Sequence, residues 1–72
     1  MTNTKLLEQL IKESGLKKSY LARKAGISLA WFRACVANRG EFKESQMQAI
    51  ARELGIKDEK LFVAVFFAQF GA

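Results

Sequence analysis

Apolar residues in this chain recur at three- and four-residue intervals, in short runs closed by glycine, and nowhere alternate over four or more positions. That pattern admits helices and excludes a sheet, because a helix presents the same face about every 3.6 residues and a strand every second one. Leu6, Leu7, Leu10 and Ile11 predict a first helix, capped by Asn3 or Thr4 and closed by Gly15. A second is expected from about Lys17 to Ala25, with Tyr20, Leu21 and Ala25 inward, and Gly26 breaks it. Ser28 is a good N-cap for a third helix through about Ala37, which Asn38-Arg39-Gly40 ends. Met47, Ile50, Ala51 and Leu54 mark a fourth, ending at Gly55. Asp58 caps a fifth, expected from Glu59 to about Gln69. With no proline, repeat or linker, residues 1–72 are expected to form a single all-α domain.

Size and composition narrow the function. A domain of 72 residues buries only about 60% of the surface its unfolded chain exposes, which leaves no room for both a core and a deep substrate cavity. Histidine is absent, and with it the commonest general base and metal ligand. The one cysteine, Cys35, excludes an internal disulfide and a cysteine-rich zinc site, and no histidine stands ready to activate it. No enzyme, metal or cofactor is therefore expected. Met1-Thr2-Asn3-Thr4-Lys5 leads into no apolar signal region, and the most apolar stretch, Leu61 to Phe70, is half the length that spans a bilayer. A cytoplasmic protein without membrane contact is the expectation.

Charge is unevenly placed. Between Gly15 and Gly40 stand Lys17, Lys18, Arg23, Lys24, Arg33 and Arg39 with no acidic residue. That segment carries +6 of a net +5, so the remainder nets −1. A basic block within a small globular domain is either a solvated cationic face or a surface for a polyanion, nucleic acid above all.

Two short helices joined by a tight glycine-containing turn, over about residues 17–38, fit a helix-turn-helix. Ala22 is small where the helices cross, Gly26 suits a left-handed backbone, and Leu21, Ile27, Phe32 and Cys35 supply the contacts that set the angle. On these residues the chain resembles the small Cro/CI-type (XRE-like) helix-turn-helix proteins of temperate phages and their bacterial relatives. The likeness covers residues 5–56: LLEQLIKESGLKKSYLARKAGIS, then FR..V, then EFKESQMQAIARELGI. It implies a compact five-helix, lambda-repressor-like domain whose third helix lies in the DNA major groove while the second crosses the backbone.

One departure from that family bears on function. Relatives that read DNA carry polar side chains at the first exposed positions of the third helix, where bidentate contacts reach base edges. Here those positions hold Leu29, Ala30 and Ala34, beside Trp31, and the position opening the second helix, often Gln, is Lys18. Groups that position a protein on phosphates survive, while most groups that read bases are missing. Trp31 has two readings: folded against the second or fourth helix it is core, and exposed with Leu29 it makes an apolar patch within a basic face. In size and general character the chain also resembles the modulator-of-repression proteins (MOR) that oppose CI repressors in lactococcal phage switches. The expectation is an anti-repressor that binds a partner repressor through Lys17, Lys18, Ser28, Leu29, Ala30, Trp31, Arg33, Ala34 and Arg39. The alternative is a Cro-like repressor that binds operator DNA through the same residues as a dimer.

The C-terminal helix, about residues 58–70, is apolar nearly all round. Phe62, Phe66 and Phe70 fall on one stripe, and Val63, Phe67 and Phe70 cover another. One small core does not easily take both, so a homodimer or a heteromeric interface through this helix is expected.

Overall fold

The structure, a computed structural model, describes residues 1–68. Its elements are α1 (Thr4–Ser14), α2 (Lys18–Ala25), α3 (Leu29–Val36), α4 (Glu44–Leu54) and α5 (Glu59–Phe66), with no strand among the described residues. The fold is all-α. Local chemistry sets the beginnings of three helices. Asn3 accepts from the Leu6 N–H at 3.1 Å, Ser28 from the Trp31 N–H at 3.1 Å, and Asp58 from the Lys60 N–H at 3.0 Å. Asn3 is thus the cap of α1, and Thr4 is its first helical residue, its hydroxyl donating to the Val36 carbonyl. At α4 the Gln46 side chain accepts from the Lys43 N–H at 2.8 Å, one half of a capping box.

Each helix gives the core one face. Leu7 and Ile11 come from α1, Leu21 and Ala22 from α2, and Phe32, Cys35 and Val36 from α3. Met47, Ile50 and Ala51 come from α4, and Val65 and Phe66 from α5. The second helix packs on α3 and α4, while α1 touches α3, α4 and α5. Tyr20 and Ala25, expected inward, are half-buried at the edge of this core.

Phe42, from the connection between α3 and α4, is a core residue that helical periodicity does not reveal. Its ring lies 5.7 Å from Phe32 and meets Phe66 edge-on at 6.0 Å, and Phe66 in turn lies 5.0 Å from Phe62. Tilted and edge-on rings at these separations gain about 0.5–1.5 kcal/mol per pair beyond their buried area.

One boundary differs from the sequence reading. The fifth helix ends at Phe66 and not near Gln69, because the N-terminal segment takes its last polar groups. Asn3 N–H donates to the Val65 carbonyl at 2.7 Å, and Ala68 N–H donates to the Met1 carbonyl at 2.9 Å. A helix continuing past Phe66 would need that carbonyl and that N–H for itself. Gln69 and Phe70, the end of one apolar stripe, lie outside the described residues. Within the Asn38-Arg39-Gly40 run that ends α3, the left-handed residue is Asn38, with φ 63°. Asn38 N–H bonds to the Cys35 carbonyl at 3.1 Å and Arg39 N–H to the Ala34 carbonyl at 2.7 Å, the paired closure of a Schellman motif.

Candidate interaction surface

Three residues, Gly26, Ile27 and Ser28, join α2 to α3. Gly26 takes φ 75°, a backbone cheap only for glycine, and lets its N–H and that of Ile27 close α2 on the carbonyls of Arg23 and Ala22 at 3.0 Å each. Ser28 returns to an extended backbone and caps α3. The burial of Phe32, Cys35 and Val36 then decides which side of α3 faces outward. On that side Ala30, Trp31 and Arg33 are exposed, and Leu29 and Ala34 are half-buried.

Of the two places its sequence context allowed, Trp31 takes the exposed one, beside a half-buried Leu29. It is 44% exposed, and the far edge of its indole rests against Gly40, in the connection beyond α3. Among the described residues Met1 and Trp31 are the exposed large hydrophobics. Of the second apolar stripe, Val63 on α5 is half-buried and Phe67, just past its end, is partly buried against the core.

The basic side chains divide into three groups. Lys18 lies with its ammonium 2.8 Å from Glu8 Oε1, which ties the start of α2 to α1. Arg23 and Lys24 lie over the Tyr20 ring, at 5.9 and 5.6 Å from its centroid. Tyr20 donates its hydroxyl to Glu53 Oε1 at 2.7 Å, and this bond raises the phenol above its ordinary range, helped by burial and by the Glu53 charge. Lys17, Arg33 and Arg39 are exposed and make no ion pair among the described residues. Ser28 is exposed, with its oxygen already accepting from Trp31 N–H.

What this surface can do chemically follows from its groups. It offers an aromatic side chain, small apolar neighbours and the cations of Arg33 and Arg39, groups suited to contact, while Lys17 stands apart at the N-cap of α2. Cys35 is wholly buried, and burial pushes its thiol pKa up, away from the reactive thiolate. Among the described residues no group of three or more His, Cys, Asp or Glu can hold a metal, and no helix is long and apolar enough to cross a membrane.

The structure brings Leu29, Ala30, Trp31, Arg33 and Ala34 together on one helix with Ser28 at its start, and the connection carrying Arg39 and Gly40 closes beside the Trp31 ring. It turns Lys18 toward α1. Sequence reasoning missed the partnership of Trp31 with Gly40. The Asn-Arg-Gly run reads as a helix stop, and nothing local says which residue bends the backbone and which makes room for a ring. No family model, curated protein or solved structure matches this chain.

Proposed function

We propose that this chain is a regulator of a phage-type transcriptional switch that acts, in the cytoplasm of a bacterial host, mainly as an anti-repressor. It binds a partner repressor through the outward side of α3 and so competes with that repressor's operator. The observation that carries this reading is Trp31, a large aromatic 44% exposed on the outward side of α3, with Leu29, Ala30 and Ala34 around it. Exposed aromatics flanked by small apolar residues and rimmed by charge are the usual anchors of protein interfaces. They supply little base reading, because an indole offers one N–H donor and the alkyl side chains offer none. Five helices with a three-residue turn between α2 and α3 support the likeness to Cro/CI-type proteins that residues 5–56 carry.

A second reading, direct operator binding as a Cro-like dimer, is favoured by Lys17, Arg33 and Arg39, which are exposed and make no ion pair among the described residues. Titration of the repressor encoded beside this protein separates the two. Trp31→Ala is expected to abolish repressor binding while staying folded, and Lys17→Ala to change it little, since truncating a central aromatic commonly costs about 2 kcal/mol or more and a rim charge far less. A folded Trp31→Ala protein that binds the repressor at full strength but loses DNA would install the operator-binding reading instead.

A further inference from the structure

Gly40 differs in kind from three other glycines of the fold. Gly15, Gly26 and Gly55 have φ of 74°, 75° and 73°, and a Cβ on any of them would meet nothing within 4 Å. There glycine answers a backbone demand. Gly40 has no such φ, and a Cβ on it would stand 2.6 Å from Trp31 Cη2 and 3.0 Å from Cζ2 and Cζ3. The place of a side chain is taken by the indole edge.

The floor under that ring is itself held. Asn38 and Arg39 donate their N–H groups back into α3, as above, and the Asn38 amide is bound to both polar groups of the Thr2 backbone at 2.8 Å each. The Trp31 backbone is held as well, because its amide N–H is the one that Ser28 caps. A side chain 44% exposed is therefore anchored at its backbone and at its ring edge.

We propose that Gly40 is a positioning residue for Trp31: its bare Cα is a seat that fixes the indole in one orientation before a partner arrives. The surface offered to a protein partner is then α3 and residues 38–40 together. Seating removes the rotamer freedom that binding would otherwise have to suppress, and it selects which ring face the partner meets. The functional half of this inference rests on the reading that α3 binds a repressor; the seat itself does not.

Trp31 is the only tryptophan, so intrinsic fluorescence reports on it alone. In the unmodified protein, the anisotropy decay should follow overall tumbling; a large subnanosecond component would overturn the seat without any variant. Gly40→Ala should keep its far-UV circular dichroism while its emission shifts red and acrylamide quenching rises. Its repressor affinity should fall about tenfold, and Trp31→Phe in the same background, with a shorter ring, should recover part of that loss. Unchanged emission and quenching in folded Gly40→Ala would overturn the seat. A displaced ring with undiminished repressor binding, where Trp31→Ala abolishes it, would overturn the positioning role. If Trp31→Ala leaves repressor binding intact, the anti-repressor reading and the positioning role fall, while the fluorescence results still decide the seat.

Discussion

Asn38 combines a backbone function with a side-chain one. Its φ of 63° closes α3, and its amide accepts from Thr2 N–H, donates to the Thr2 carbonyl, and lies 3.2 Å from Thr4 Oγ1. The two functions separate by substitution. Asn38→Gly keeps the left-handed backbone and loses the amide bonds, at a net cost of about 2 kcal/mol for two good bonds. Asn38→Ala loses both and should cost a further ~1 kcal/mol, because a Cβ is strained in that conformation. Urea denaturation should rank native, then Gly, then Ala; equal midpoints for the two variants would remove the backbone contribution. Asn38 and Gly40 both tolerate a left-handed backbone, so the sequence showed that the run ends α3 without showing which of them does it. The Asn38 bond to Thr2, 36 positions away, was not legible, since no local pattern encodes a partner at that distance. Tyr20 shows the same limit, with a Glu53 partner 33 positions on. The Glu53 hydrogen bond, then burial, then the Glu53 charge raise the folded-state phenol pKa, with Arg23 opposing. A raised pKa means the Tyr20 contribution is fully present below about pH 10, the unfolded value. It is lost as pH climbs through the higher folded value. Tyr20→Phe should therefore show a shallower alkaline fall in stability than the native protein, measured by urea midpoints from pH 9 upward. A steeper fall in the variant would refute the assignment.

At the scale of elements, what was legible followed from contacts within four residues. Asn3, Ser28 and Asp58 were readable as caps because the N–H groups they bind lie two or three positions away. Gly15, Gly26 and Gly55 were readable as stops because each sits just past a periodic run. Phe42 was illegible because it belongs to no periodic run, and its burial depends on Phe32 and Phe66 converging from two helices. The end of α5 was illegible for a related reason: its apolar pattern runs on to Phe70, while the groups that stop it belong to Met1 and Asn3. This dependence makes α5 a structural member of the core. Truncation after Lys60 removes Val65 and Phe66, at 0% and 1% exposure, along with both bonds to the N-terminal segment. Burial of each side chain is worth about 1.5–3 kcal/mol. A domain this small has a total stability near the lower end of roughly 5–15 kcal/mol. The truncated chain should thus be unfolded by far-UV circular dichroism at 25 °C. A folded, cooperatively melting truncation product with its self-association unchanged would show that α5 is neither core nor interface.

Across the whole molecule, basic charge without acidic neighbours is concentrated in one segment, and that segment bounds what the helix-turn region can do with DNA. Of six basic residues in the segment from Gly15 to Gly40, Lys18 is engaged by Glu8, and Arg23 and Lys24 lie over Tyr20. Lys17, Arg33 and Arg39 are exposed and make no ion pair among the described residues, and Arg23 and Lys24 keep solvent access. Through this segment alone, five accessible cations neutralising one phosphate each would give a slope of log affinity against log salt of about −4.5. Phosphate contacts of this kind attract any duplex, so the binding should be weak and indifferent to sequence. Base reading would have to come from α3, whose outward residues are Ala30, Trp31 and Arg33, with Ala34 half-buried. Arg33 is the one side chain there able to make a bidentate contact with guanine, worth about 1–3 kcal/mol. That falls short of the roughly 4–10 kcal/mol by which specific DNA binders favour their sites over random duplex. Titration of the purified protein against the neighbouring intergenic DNA and a random duplex, at two salt concentrations, should therefore give affinities within about a factor of 100 of each other. Arg33→Ala should flatten the salt slope by about one contact if Arg33 meets a phosphate. If its partner is instead an acidic group or a carbonyl on a repressor, the same substitution should weaken repressor binding with only modest salt dependence. A preference for the intergenic site above a thousandfold at physiological salt would mean that α3 reads bases after all, and the anti-repressor assignment would give way to operator binding.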